Sequence, residues 1–241
     1  MKHLTAIIFG AAIVIAALLL GNSYVKRANP PQIISVTGLG NKDFVSDLIV
    51  WEGRFNASNV ELKAAFDQLI RDKDQVKNYL ISKGLKEENI IFEAVQTSEI
   101  RDNKYEGNNY VGTIFRGYEL TQTVRVESSD VATVEKISRE ITELLNQGVK
   151  FNSTPPRYYY SKLSDLKIEM ISKATEDARI RAEKIAENSG GRLGDLISAR
   201  MGVFQITGQY SDEDYSWGGA YNTASKEKTA SITMRLEYKV N

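Results

Sequence analysis

The hydrophobic pattern begins with an uninterrupted apolar run. Residues 4–21 (LTAIIFGAAIVIAALLLG) contain no charged side chain, and only Thr5 is polar. A helix rises about 1.5 Å per residue, so this run would span about 27 Å, close to the hydrocarbon core of a bilayer. We therefore predict that residues 1–27 form a signal anchor or a cleaved signal peptide, and that residues 28–241 form the folded domain.

The domain is predicted to open with a strand pair and a helix. Residues 33–37 and 48–55 have strand character, and Gly38-Leu39-Gly40-Asn41 between them favours a turn. A helix is expected from Ser58, as N-cap, to about Lys83. Its apolar positions recur every three or four residues and are Leu62, Ala65, Phe66, Leu69, Val76, Tyr79 and Leu80.

The middle of the chain predicts two more strands and a second helix. Residues 90–97 form one strand, the polar residues 98–112 a long hairpin loop, and residues 118–127 alternate as a half-buried strand. Asp130 is a candidate cap for a helix that Gly148 ends. The expected buried stripe of this helix is Val131, Val134, Ile137, Ile141, Leu144 and Leu145. A strand at 149–151 then completes a βαββαβ order.

A long third helix and two strands are predicted at the end of the chain. The helix covers residues 161–188, and its apolar face is Leu163, Leu166, Met170, Ile171, Ala174, Ala178, Ala182 and Ile185. Residues 196–207 and 230–240 have strand patterns. The predicted fold class is therefore α+β: a ferredoxin-like βαββαβ element extended by the third helix and C-terminal antiparallel strands, preceded by one transmembrane or signal helix.

Composition excludes several functional classes. The chain has no cysteine, and its single histidine, His3, lies beside the apolar run. The domain therefore cannot hold a Ser-His-Asp triad, a thiolate nucleophile or a histidine-liganded zinc. Lys+Arg and Asp+Glu both number 31, and nucleic-acid binders normally carry a basic excess. We expect no catalytic residue, cofactor, metal or nucleic-acid partner.

Two aromatic clusters are the candidate contact residues. Residues 209–225 form a Gly-rich loop with Tyr210, Tyr215, Trp217 and Tyr221, and a second cluster includes Tyr158 and Tyr160. Large aromatics are enriched at interfaces, so the loop side chains would dock on a neighbouring subunit or a lipid surface. Alternatively, they fold back over the domain's own sheet. In a strand around Tyr158, at least one ring would face the core.

The acidic part of the same loop permits a calcium interpretation. An EF-hand loop requires Gly at position 6 and Glu at position 12. Counted from Asp212, those positions hold Trp217 and Thr223. The pattern therefore favours a solvated acidic loop. In the third helix, a mixed charge run is typical of a solvated face with Glu176–Arg179 and Asp177–Arg181 ion pairs.

Three segments together resemble the SIMPL-domain family of bacterial envelope proteins. They are Ile34-Ser35-Val36-Thr37-Gly38-Leu39-Gly40, the run 174–186 followed by Gly190-Gly191-Arg192-Leu193-Gly194, and the closing strand 230–238. The resemblance covers about residues 32–241. It implies an α+β fold with a ferredoxin-like element, an envelope location, a tendency to form oligomers and a link to stress. The family has no established catalytic residues to transfer.

The combined expectation is a non-enzymatic, membrane-anchored protein that assembles into a homo-oligomer. Residues 4–21 would hold it in the inner membrane with the domain outside the cytoplasm. If the segment is cleaved, the domain would be periplasmic or secreted. The alternative is a monomeric envelope module that binds a small molecule, a peptide or a protein.

Overall fold

The computed structural model describes residues 10, 12–21, 24, 32–214 and 216–241. Residues 12–21 are helical. Within the described residues, no helix combines the length and the apolar character needed to cross a membrane. The other residues of the predicted N-terminal segment lie outside the described part of the chain.

From residue 32 onward, strands and helices alternate as an α+β protein. The helices are α1 (Leu62–Ser82), α2 (Val131–Glu140) and α3 (Leu163–Asn188), with 3-10 turns at Glu87–Asn89 and Ile141–Gln147. The strands are β1 (Ile33–Val45), β2 (Leu48–Asn59), β3 (Ile90–Phe92), β4 (Gln96–Glu106), β5 (Asn109–Ser128), β6 (Lys150–Ser153), β7 (Arg157–Tyr159), β8 (Leu193–Met201), β9 (Gln205–Gly208) and β10 (Glu227–Val240). The chain divides into two compact units.

The first unit comprises Met1–Gly40, Glu169–Val203 and Ile232–Asn241. Its sheet order is β1-β10-β8, with β8 antiparallel to β10. In the described part of this unit, α3 buries a row of small side chains: Ala174, Ala178, Ala182 and Ala186. The predicted alanine face is confirmed, whereas Ile185 is exposed and Ala186 takes its place.

The predicted turn at residues 38–41 is wrong. Gly38 and Gly40 lie inside β1, which pairs with β10 instead of β2. A Cβ on Gly38 would lie 2.2 Å from the Ala174 carbonyl oxygen, and one on Gly40 2.4 Å from that of Met170. The two glycines therefore let β1 and α3 approach more closely than any side chain would allow.

A hydrogen bond joins the same strand to the charged residues of α3. Asp177 accepts a hydrogen bond from the Leu39 N–H at 2.8 Å and pairs with Arg181 at 2.9 Å. The bond from Leu39, with the help of Arg181, lowers the pKa of Asp177. The predicted Asp177–Arg181 pair is confirmed, whereas Arg179 pairs with Glu183 at 3.0 Å.

The second unit comprises Asn41–Ile168 and Phe204–Ser231. Its main sheet has the order β3-β5-β2-β6, with β4 also paired to β5 and β7 to β2. The core contains Trp51, Phe55, Leu69 and Val124, all at most 1% exposed. Within that core, Trp51 donates to the Ser153 hydroxyl at 3.0 Å, so even its polar nitrogen is satisfied.

Most helix boundaries of the second unit follow from local signals. Asp130 accepts from the Thr133 N–H at 3.1 Å, which confirms it as the cap of α2. Gly84 and Gly148 have φ angles of +99° and +84°, as expected for residues that end helices. The predicted cap Ser58 is wrong, because β2 continues to Asn59, and Leu145 is exposed.

The predicted hairpin loop 98–112 is also wrong. β4 and β5 pair from Gln96/Thr121 to Glu106/Asn109, so only Gly107 and Asn108 turn the chain. The polar side chains of residues 98–112 suggested a loop, but backbone pairing between neighbouring strands does not require an apolar face. The prediction for residues 118–127 is confirmed, since Leu120, Val124 and Val126 are buried.

Candidate functional site

The loop of residues 209–225, here called the aromatic loop, presents large side chains to solvent. Trp217 is 100% exposed and Tyr210 is 95% exposed. Tyr221 is about half exposed, and its backbone forms a parallel bridge to Ile206. Tyr215 lies outside the described residues. Neither Trp217 nor Tyr210 folds back over the sheet, so the second interpretation of these two side chains is wrong.

Hydrogen bonds, most of them partly buried, hold the aromatic loop in place. Gln205, at the start of β9, donates its side-chain amide to the Ser216 carbonyl at 2.8 Å and accepts from the Ser216 and Ala220 N–H groups. Glu213 accepts from the Gly208 N–H at 3.1 Å and from Asn222. The loop is therefore braced on both sides of Trp217, which reduces the entropy lost when its rings bind a partner.

The second aromatic cluster is structural. Tyr158 is 8% exposed and donates its hydroxyl to Glu135 at 2.8 Å. This confirms that one ring of the cluster faces the core and removes Tyr158 from the candidate contact residues. Tyr160 packs against Phe44 with ring centroids 4.8 Å apart. This pair of rings covers part of the surface that Tyr160 would offer to a partner.

A charged network lies at the base of the aromatic loop. Glu135 accepts from Tyr158 and pairs with Lys226 at 3.2 Å. Burial raises the pKa of Glu135, but the hydrogen bonds from Tyr158 and Lys226 outweigh it and bring that pKa below its usual range. Burial, together with Glu135, raises the pKa of the Tyr158 hydroxyl to about 12. The pair is therefore a carboxylate and a neutral phenol at physiological pH.

Lys228 is a buried residue that sequence reasoning missed. It is 2% exposed, and its amine donates to the Tyr158 carbonyl at 2.6 Å. Burial lowers the pKa of Lys228 to about 8, although Glu213 opposes the shift. A signal was available, because Lys228 is in phase with the inward residues Ala230 and Ile232 of β10.

A polar groove adjoins the aromatic loop. Its volume is about 380 Å³, and its lining includes Arg54, Arg157 and Glu52, together with Thr223 of the loop. Arg54 and Arg157 are exposed. As to metals, within the described residues no three acidic or histidine side chains are grouped so that they could hold an ion.

Tyr210 adopts a left-handed backbone conformation, with φ of +56°. A non-glycine residue there is strained. Among variants without the ring, we expect Tyr210→Gly to be more stable than Tyr210→Ala by about 1 kcal/mol, because only glycine relieves the strain. Urea unfolding of both variants measures the difference. Equal stabilities would show that the loop relaxes out of this conformation.

These features define an α+β protein whose candidate site is an exposed aromatic loop held by hydrogen bonds. The chain belongs to the SIMPL family, described as a protein of unknown function (DUF541), whose model matches residues 34–240. No curated protein matches the chain.

Proposed function

We propose that this protein is a non-enzymatic, membrane-anchored envelope protein that assembles into a homo-oligomer through the aromatic loop. The observation that carries the proposal is the full exposure of Trp217 on a loop held by partly buried hydrogen bonds. Leaving a tryptophan in water forgoes about 2–3 kcal/mol of burial, and tryptophan is enriched in the centres of interfaces. Tyr210, also exposed, is a second ring of the same loop.

The other parts of the proposal rest on sequence and topology. The charge-free residues 4–21 support a membrane anchor, with the domain outside the cytoplasm. The strand order β3-β5-β2-β6, connected through α1 and α2, supports a ferredoxin-like element in the second unit. Its first strand would be β2.

Charge placed on the loop should break the assembly. We expect Trp217→Lys to raise the dissociation concentration of the oligomer at least tenfold, because a lysine would have to be desolvated at the contact. Mass photometry of the detergent-extracted full chain measures this. Trp217→Phe should retain most of the assembly, and Gln75→Lys, which adds the same charge on the exposed face of α1, should have no effect.

The result decides the role of the loop. At concentrations where all four proteins are dissociated, the three variants should have the unfolding midpoint of the wild type, because Trp217 contributes no buried surface to the subunit and Gln75 is exposed. An oligomer that survives Trp217→Lys unchanged removes the loop from the proposal, and a monomeric wild type removes self-assembly altogether.

The groove beside the loop favours the alternative of a monomeric binding module. Arg54 and Arg157 at one groove suit an anionic group such as a carboxylate. A ligand of the native state raises the melting temperature. A monomeric protein that citrate or an acidic peptide stabilises, with the effect lost in Arg157→Gln, would favour this function over assembly.

A further inference from the structure

The polar groove beside the aromatic loop lies on the outer face of the main sheet of the second unit. Alternate residues of β2, such as Trp51, are buried in the core, and Val50, Glu52 and Arg54 lie on the other face of the strand. Residues directly opposite each other in an antiparallel pair share a face, so Arg157, which pairs with Val50, belongs to the same surface. The charged side chains of the groove therefore come from two adjacent strands of one sheet.

The backbone around the groove is held by hydrogen bonds. Residues 154–156 form a bend where the pairing of β2 passes from β6 to β7, and the two prolines of this bend have no N–H to donate. Thr154 anchors the bend, because its N–H and its hydroxyl both donate to the Glu52 carbonyl oxygen, at 3.1 and 2.6 Å. The carbonyl of Thr223, which also lines the groove, accepts from the Tyr158 N–H at 2.8 Å. The groove is therefore a formed feature of the fold.

The charged side chains of the groove have no partner of opposite charge among the described residues. None of the ion pairs in that part of the chain includes Arg54, Arg157 or Glu52. On the neighbouring strand β5, by contrast, Arg125 pairs with Glu127 at 3.4 Å. A ligand of complementary charge would therefore bind in the groove without first breaking an ion pair of the protein.

The signs of the charges alternate along the groove. Successive residues on one face of a strand are about 6.6 Å apart. Glu52 therefore lies midway between Arg54 and Val50, and Val50 is the partner of Arg157. The order of charges is positive, negative, positive, which matches a molecule with an ammonium group between two carboxylates. Arginine binds carboxylates through two parallel hydrogen bonds, and a volume of about 380 Å³ is within the usual range for small-molecule sites.

We propose that the groove binds an amino dicarboxylate such as glutamate, with its carboxylates on Arg54 and Arg157 and its ammonium on Glu52. A dicarboxylate without the ammonium would place its negative charges beside an unneutralised Glu52. An amino acid with one carboxylate would leave one arginine without a partner. These two mismatches give the groove its selectivity. The inference narrows the anionic ligand of the alternative function to one chemical class, and it does not rest on self-assembly.

Isothermal titration calorimetry of the full chain at low salt tests the site. L-glutamate should bind about fivefold more tightly than glutarate, which lacks the ammonium, and than 2-aminobutyrate, which lacks the second carboxylate. Added sodium chloride should weaken the binding, because it screens exposed charges. Arg157→Gln should weaken glutamate binding by about fivefold or more. Arg71→Gln is the matched control, because it removes the same charge from the exposed face of α1 and should have no effect.

Glu52→Gln separates the two signs of charge in the groove. This variant should bind glutarate at least as tightly as the wild type and should lose the preference for glutamate, a combination that damaged folding would not produce. Equal binding of glutamate and glutarate by the wild type overturns the amino dicarboxylate. Absence of binding at low salt, or binding that survives Arg157→Gln, overturns the site itself. Mass photometry of the same samples measures the oligomer separately, so failure of this inference is distinct from failure of self-assembly.

Discussion

Replacing Gly38 with alanine is expected to destabilise the first unit by about 3 kcal/mol, at the upper end of the range for overpacked sites. The added Cβ would lie 2.2 Å from the Ala174 carbonyl oxygen and 2.4 Å from the Ala178 backbone nitrogen. Both atoms belong to the backbone of α3, so no side-chain rotation relieves the clash and β1 and α3 must separate. That separation would open gaps along the alanine row of the helix.

Urea unfolding followed by circular dichroism measures the effect. Gly40→Ala should act in the same direction, because its Cβ would lie 2.4 Å from the Met170 carbonyl oxygen. Gly218→Ala is the matched control, since a Cβ there has no atom within 4 Å. A Gly38→Ala protein as stable as Gly218→Ala would mean that β1 and α3 are less tightly packed than described.

Stability should rise with pH in the alkaline range because of Lys228. Its pKa is about 8 in the folded protein, against an ordinary value of 10.5. Below pH 8 the lysine is protonated in both states, and above 10.5 it is neutral in both. Between these limits the unfolded state holds more protons than the folded state. The contribution of Lys228 to the free energy of unfolding therefore rises by about 3 kcal/mol from the lower limit to the upper.

Comparison with Lys228→Met separates the contribution of Lys228 from that of other groups that titrate at alkaline pH. The wild type should gain about 3 kcal/mol relative to the variant between pH 7 and pH 10.5. At pH 7 the two should be of similar stability, because the variant loses both a buried charge and the hydrogen bond to Tyr158. Lys63→Met, at an exposed lysine, should follow the wild type in parallel. A parallel Lys228→Met curve would show that the buried amine keeps its ordinary pKa.

Local patterns were sufficient to predict the existence of the three helices and of the closing strand, although not the start of α1. α3 and α1 follow from apolar spacing, and Asp130, Gly84 and Gly148 mark helix ends through capping and left-handed backbone conformation. Alternation in residues 230–240 correctly predicted a strand with one buried face, Ala230, Ile232, Met234, Leu236 and Tyr238. Ser231, which the alternation places on the outer face, is buried as well, and Val240 is only half-buried. These signals were reliable because they depend on residues within a few positions of each other.

The errors occurred where the partner of a segment is distant in sequence. The glycines that favour a turn at 38–41 instead allow the close approach of α3, whose contacting residues lie at least 130 positions away. Polar residues 98–106 looked like a loop because a strand with both faces in water has no apolar alternation to detect. Leu62 and Phe66 were predicted to lie on the apolar face of α1, but both are exposed, because burial depends on which distant segments pack against that face.

The sequence alone determined the fold class, the family resemblance, the absence of thiol and domain histidine chemistry, and the set of aromatic residues from which a contact surface could be built. Only the tertiary structure separated Trp217, fully exposed, from Tyr158, buried against Glu135, and placed Lys228 inside the protein. Composition and periodicity show the type of each residue and the face of a helix or strand on which it lies. Exposure and pKa depend on groups brought together from distant parts of the chain.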